Sequence, residues 1–237
     1  MWSGPRNIST AMMRSWGARS DTFVCDEPLY AHYLRETQLD HPGRDEVLAA
    51  HEQDWRVVAQ WLLGPIPQGK SIFYQKHMAH HLLPEVGREW LSSLSHCFLI
   101  RDPLEMLTSL MQVTPRPELS DTGLPQQWEL FERVRRTTGS PPPVLDSKDI
   151  LENPHGMLTR LCESLGVPFR ESMLSWKPGP RDTDGVWAKH WYSTVAQSSG
   201  FKPFVPKDLS LPEPLKEVHR QCVEYYQKLH SHRLLNA

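Results

Sequence analysis

The chain has 237 residues, long for one compact domain and short for two, with 39% hydrophobic and 23% charged residues, a composition that supports a sizeable core and excludes wholesale disorder. Lys and Arg number 26 against 28 Asp and Glu, a formal net charge of −2, so no global positive field is available for a nucleic acid or an anionic membrane, and any anion must be held locally. No apolar run approaches the roughly 18 residues of a membrane span and the start lacks the basic-then-apolar layout of a secretory leader, so a cytoplasmic location is expected, with scattered Cys25, Cys97, Cys162 and Cys222 reduced and buried.

In chain order, residues 2–10 (WSGPRNIST) run from an apolar start through small and polar residues into a helix expected over 9–19. Short apolar, partly β-branched or aromatic runs at 22–25 (TFVC), 71–75 (SIFYQ), 97–100 (CFLI) and 144–145 read as buried strands. Helical patterns fill 44–63, 104–111, 124–137 and 154–165. Proline clusters at 64–69, 114–125, 140–143, 177–180 and 203–214 separate these elements, because proline breaks helices and central strands alike. A last helix over 214–230 carries Leu215, Val218, Cys222, Tyr225, Tyr226 and Leu229 on one stripe and is expected to pack without taking part in chemistry. Strands alternating with helices, without a repeat, indicate an α/β fold: a parallel sheet covered on both faces by helices.

The opening turn is the first candidate site. A strand-turn-helix aims backbone N–H groups and a helix N-terminus at one point, which favours an anion; Ser9 and Thr10 add hydroxyls and Arg6 a planar cationic fork. A plain helix cap by Ser9 or Thr10 accounts for the same residues. The turn is not a Walker A loop, since no Gly-Lys pair precedes Ser9-Thr10, and a magnesium-dependent nucleotide kinase or hydrolase therefore lacks its key lysine.

The P-R-x-x-S-T turn resembles the 5′-phosphosulfate loop of the sulfotransferases that use 3′-phosphoadenosine 5′-phosphosulfate, PAPS. Leu99-Ile100-Arg101-Asp102-Pro103 followed by Ser109 resembles that family's second signature. Physically, an arginine leaving the carboxyl end of a strand and a serine two turns into the next helix can clamp one phosphate. A surface pair of Arg101 with Asp102 explains the charges but not the Arg/Ser spacing. Residues 75–84 (QKHMAHHLLP) resemble the family's catalytic-base segment, with His77 on its histidine and Lys76 one place after its lysine; residues 149–169 resemble a structural stretch closed by Gly166 as a left-handed helix cap.

The resemblance implies a three-layer, P-loop-type sheet and one sulfotransferase-like domain over 1–237, with a core to about 170 and a helical extension over 171–237. It implies transfer of a sulfuryl group from PAPS, without a metal, to a hydroxyl or amine of a small-molecule acceptor. The 5′-phosphosulfate is expected on Gly4, Pro5, Arg6, Asn7, Ile8, Ser9 and Thr10, with Arg6 also stabilising charge, and the 3′-phosphate on Arg101 and Ser109. The family's C-terminal basic motif is absent. Lys189 or Arg181 is the candidate substitute, against a tryptophan-rich segment at 185–191 that merely packs.

Two residues compete as the base. His77 has a pKa suited to neutral pH, and Glu27, at the end of the second strand, would need burial to raise its own. His77 and His81 have the i, i+4 spacing of zinc helices, but Met78 stands where such a motif has its glutamate. Trp55, Trp61, Tyr30 and Tyr33 are candidate acceptor-lining aromatics. A sulfotransferase-like module that keeps an anion pocket without turnover is the alternative outside enzymes. Because only Met1, Trp2 and Ser3 precede Gly4, the sequence is expected to begin inside its first strand, as an N-terminally shortened member would.

Overall fold

The computed structural model describes residues 1–235. In chain order it contains β1 (Trp2–Ser3), α1 (Ser9–Gly17), β2 (Thr22–Asp26), α2 (Tyr30–Thr37), α3 (Arg44–Ala50), α4 (Trp55–Leu62), β3 (Ile72–Met78) and β4 (Phe98–Ile100). There follow α5 (Pro103–Leu110), α6 (Leu124–Thr138), β5 (Val144–Asp146), α7 (Ser147–Glu152), α8 (Pro154–Ser164), α9 (Ala188–Trp191), α10 (Ser193–Ala196) and α11 (Lys216–His230). The fold is α/β and its strand ladders are parallel, as the alternation predicts. The chain divides into two compact units, each assembled from separated stretches.

The first unit comprises Met1–Ser9, Ser95–Phe169 and the chain from Lys202 onward. Here β4 pairs with β1 on one side and β5 on the other, with Trp2 opposite Phe98 and Phe98 opposite Val144. Trp2, Phe98, Leu99, Ile100, Val144 and Leu145 are buried, the near-continuous apolar character expected of parallel strands covered on both faces. Met1 is buried, and the Trp2 N–H donates to the Cys97 carbonyl at 2.9 Å. The C-terminal helix α11 packs on α5, α6 and β5, and of its predicted stripe Leu215, Cys222 and Leu229 are buried. After α8, Gly166 adopts the left-handed conformation (φ 69°) that the sequence anticipates.

The second unit comprises Thr10–Leu94 and Arg170–Phe201. β2 and β3 run parallel in register from Thr22 opposite Ile72 to Asp26 opposite Lys76. The single helix expected over 44–63 is two, α3 and α4: the Glu52 carboxylate accepts the N–H groups of Gln53 and Asp54, and Asp54 caps α4 by accepting from the Arg56 N–H. These side chains outcompete helical continuation. The strand expected over 71–75 extends to Met78, so Lys76 and His77 are strand residues, and a 3₁₀ turn at Ala79–His81 follows. The helical i, i+4 geometry that would bring His77 and His81 onto one metal is therefore not formed. All four cysteines are free and buried, as expected.

Candidate functional site

In the first unit the chain leaves β1 and turns through Gly4–Ile8. Gly4 lies against a neighbouring backbone: a Cβ there would stand 2.2 Å from the Thr122 carbonyl oxygen. Gln127, with its amide oriented to pair at both ends, accepts from the Gly4 N–H and donates to the Leu99 carbonyl, each at 3.1 Å. Asn7 is buried and donates to the same Leu99 carbonyl at 3.3 Å. Arg6 and Ile8 both have left-handed backbone, φ 62° and 58°, at a cost on the order of 1 to 3 kcal/mol each that the surrounding contacts offset.

Three residues that the sequence assigns to anion binding, Arg6 in the turn and the pair Arg101 and Ser109, meet here. Arg6 Nε donates to Ser109 Oγ at 2.9 Å, and Arg101 Nη1 donates to the Arg6 carbonyl at 2.7 Å. Arg101 Nε and Nη2 also donate to Glu105 Oε2 at 3.0 and 2.8 Å. Asp102 instead caps α5, accepting from the Leu104 and Glu105 N–H groups, so the surface pairing of Arg101 with Asp102 does not occur. Burial, and then the neighbouring positive charge of Arg101, push the Arg6 pKa below its ordinary value. Two guanidinium groups side by side with one carboxylate leave a local positive excess, the condition that favours a bound anion.

The second unit holds a different cluster, where β2 and β3 end. Lys76 Nζ donates to Asp26 Oδ1 at 2.8 Å, to Tyr192 Oη at 2.9 Å and, in a very short contact, to Glu27 Oε1. Tyr192 Oη lies 2.9 and 2.7 Å from the two Asp26 oxygens. Glu27 has left-handed backbone (φ 43°), held by its N–H donating to the Lys76 carbonyl at 2.8 Å. Two carboxylates share one ammonium. Burial opposes the Lys76 charge, yet Asp26 and Glu27 outweigh it and keep the ammonium well above its ordinary pKa. Burial raises the Glu27 carboxyl; Lys76 opposes that rise and Asp26 adds to it. Glu27 is thus the carboxylate left under-compensated, the environment that tunes a glutamate towards neutral pH.

His81 Nδ1 lies 3.9 Å from Glu27 Oε2, and the His81 ring stacks on Tyr30 and Tyr33, each at 4.7 Å between centroids. Burial, then His80, push its pKa well below the ordinary histidine value, and burial pushes His80 down to about 3; both imidazoles are neutral. His77 is buried on β3, within 3.3 Å of the Gln75 side-chain oxygen and 6.0 Å from the Trp90 ring. The two candidate bases therefore stand in different settings, one in the carboxylate cluster and one packed within its own strand region.

Of the remaining predicted residues, Pro5 is half-buried, Ser9 buried at the start of α1, and Thr10 half-buried. Lys189 is exposed and pairs with Glu46 at 2.5 Å, while Arg181 donates to backbone carbonyls of Lys177, Gly179 and Pro180. Trp187 is buried and donates to Tyr192 Oη at 3.3 Å. Tyr30 and Tyr33 are buried, whereas Trp61 is 44% exposed over Phe73. Sequence reasoning missed Glu105, Gln127, Asp26 and Tyr192; only Glu105, four residues after Arg101, and Asp26, beside Glu27, carried a local signal. Among the described residues no group of three or more His, Cys, Asp and Glu is placed to hold a metal, and no helix is long and apolar enough to cross a membrane.

The sequence model of the sulfotransferase domain matches residues 1–232. Branched-chain-amino-acid aminotransferase-like proteins 1 and 2 of Arabidopsis thaliana are 38% identical over 234 residues and 35% identical over 233. Each match takes in 98% of this chain but 41% of the relative, so the chain spans well under half the length of these proteins. Among solved structures, the sulfotransferase domain from the curacin biosynthetic pathway matches with a TM-score of 0.54 at 16% identity, covering 95% of both chains. The sulfotransferase domain from the Synechococcus PCC 7002 olefin synthase matches with a TM-score of 0.48 at 18% identity, covering 95% and 92%. The chain belongs to the sulfotransferase-domain family, and it shares the α/β fold of the curacin-pathway domain.

Proposed function

We propose that the chain is a PAPS-dependent sulfotransferase with a P-loop-type phosphate turn, acting on a hydroxyl or amine of a small-molecule acceptor. The observation that carries this reading is the meeting of Arg6, Arg101 and Ser109 beside a strained turn: these are the residues the resemblance assigns to two anionic groups of one nucleotide, and they are hydrogen-bonded to one another. A site of adjacent guanidiniums and a serine hydroxyl fits a doubly anionic ligand. Gly4 to Thr10 would hold the 5′-phosphosulfate, and Arg101 with Ser109 the 3′-phosphate; Lys189 remains a candidate for the nucleotide's remaining charge. When bound, PAPS supplies an activated sulfuryl group for transfer to the acceptor.

Within this reading Arg6 and the N–H groups of the turn stabilise negative charge on the leaving phosphate oxygens. Glu27 takes the proton from the acceptor, because its raised pKa matches the task and its left-handed backbone marks an over-determined position. His77, tied to Gln75 and packed near Trp90, is the less favoured base, and Lys76 acts on Glu27 as a fixed counter-charge. The family match runs through residues of both units, which supports treating the chain as one sulfotransferase-like domain. The buried free thiols support a reducing, cytoplasmic setting.

Calorimetry with 3′-phosphoadenosine 5′-phosphate and with its 3′-dephosphorylated analogue tests the donor. Tight binding of the first and at least about tenfold weaker binding of the second is expected, a factor of ten corresponding to ~1.4 kcal/mol. Equal affinities would overturn the assignment. Stoichiometric binding with no transfer from PAPS to any acceptor would favour the module that keeps its pocket without turnover.

A further inference from the structure

The group beside Glu27 divides its hydrogen bonds unequally. Tyr192 Oη lies 2.9 and 2.7 Å from Asp26 Oδ1 and Oδ2 but 3.5 Å from Glu27 Oε1. A phenol has one proton to donate, and the distances direct it to Asp26. The same oxygen accepts from Lys76 at 2.9 Å and from Trp187 Nε1 at 3.3 Å, and the Gly185 N–H reaches Asp26 Oδ2 at 3.4 Å. Asp26 thus has the tyrosine proton, a lysine proton and a backbone N–H, while Glu27 depends on the one ammonium that Asp26 also claims.

We propose that Tyr192 is a positioning residue which, through Asp26 and Lys76, sets how much of the Lys76 charge reaches Glu27 and so fixes Glu27 as the proton-accepting carboxylate. The use of Glu27 as a base rests on the function proposed above; the partition of charge does not. The titratable and charged groups that face Glu27 are Asp26 from β2, Lys76 from β3, Tyr30 from α2, His81 from the 3₁₀ turn, and Tyr192 following α9. His51 interacts with Asp26, and burial lowers its pKa. Among these only Lys76 is cationic at neutral pH.

The signs of two substitutions follow and are opposite. Tyr192→Phe takes a donor from Asp26, which then draws the ammonium to itself, and Glu27 should titrate at higher pH. Asp26→Asn removes the competing negative charge, leaves Lys76 to Glu27, and should move the Glu27 titration to lower pH. Each shift is expected to be roughly 0.5 to 1 pH unit or more, the scale of losing or gaining one near charge-assisted contact.

The test is a ¹³C NMR titration of the full chain with carboxyl-labelled glutamate, the Glu27 signal being the one lost in Glu27→Gln. Tyr226→Phe, which removes a buried-side hydroxyl bonded to Asp146 in the first unit, serves as a control expected to leave the Glu27 midpoint in place. Should Tyr192→Phe fail to fold, Tyr192→Met, which removes the same hydroxyl, is expected to give the same upward shift and decides in its place. A Glu27 midpoint that is unmoved in the folded variants, or that moves the same way in both, overturns the proposal. Because the readout needs no acceptor and no nucleotide, an absence of sulfuryl transfer would refute the proposed function and leave this result standing.

Discussion

Replacing Gly4 with alanine tests whether the phosphate turn is held by contact with its own scaffold. The added Cβ would stand 2.2 Å from the Thr122 carbonyl oxygen, about 0.8 Å inside the 3.0 Å that real Cβ atoms respect, and the obstacle is backbone rather than a side chain that can swing away. Forced overpacking of this kind costs about 1 to 3 kcal/mol. Moving the turn also breaks the 3.1 Å bond from the Gly4 N–H to Gln127, and a buried N–H left unpaired costs about 1 to 3 kcal/mol more. A total of roughly 2 to 6 kcal/mol corresponds, in a chain of this size, to a Tm lower by about 4 to 24 °C. Gly17→Ala is the control: its Cβ would meet Val24 at an ordinary 3.5 Å, and it should change Tm by no more than about 2 °C. Differential scanning calorimetry of both variants checks this, with binding of 3′-phosphoadenosine 5′-phosphate measured in parallel and expected to weaken at least about tenfold for Gly4→Ala. If Gly4→Ala melts within about 2 °C of the parent chain and binds as well, the turn is not pinned at Thr122.

Arg101→Ala should lose about 1.5 to 3 kcal/mol of affinity for the 3′-phosphorylated nucleotide, a charge-assisted hydrogen bond's worth, and none for the 3′-dephosphorylated analogue; equal losses would refute the clamp with Ser109. Glu27→Gln should lower kcat by about 10² to 10⁴ with nucleotide affinity kept, whereas His77→Ala should lower it far less; the reverse order would reassign the base. Burial pushes Asp146 up from 3.8 to about 6, despite its bond from Tyr226 Oη at 2.8 Å. A carboxyl whose folded pKa is raised favours folding at low pH, and that contribution is lost as pH rises from about 4 through about 6. Urea unfolding of Asp146→Asn should therefore show a gain of about 1 to 3 kcal/mol relative to the parent chain at pH 8 that disappears at pH 4, since asparagine retains the oxygen that caps α7 and cannot ionise.

What could be read from the sequence was what local spacing encodes. Arg101 and Ser109 lie on one strand end and the helix after it, so eight residues suffice to bring both towards the turn. The break between α3 and α4 escaped because it depends on Glu52 and Asp54 turning their carboxylates back onto the backbone, a choice that acidic residues on an exposed helix face would equally permit. α2 escaped for a different reason: Tyr30, Ala31, His32, Tyr33 and Leu34 are all buried, so no polar face reveals a helical period. The cluster around Lys76 joins partners 50 and 116 residues away, and no short pattern announces a tyrosine that reaches an aspartate over such a distance.

The weaving of the chain bears on how it can be made. The backbone passes from one unit to the other at residues 9, 94, 169 and 201, so neither unit is a continuous stretch that a ribosome could release complete before starting the next. β1 cannot pair with β4 until Phe98 has been made, and the bridge from Val144 in β5 to Arg233 must likewise wait for a residue far along the sequence. At about 5 to 20 residues per second, each of these waits leaves roughly 5 to 20 s during which an apolar strand edge lacks that partner. Closing such long loops is entropically slow. Yield in a cell should therefore depend on chaperone holding and translation speed more steeply than the stability of the finished chain alone would suggest.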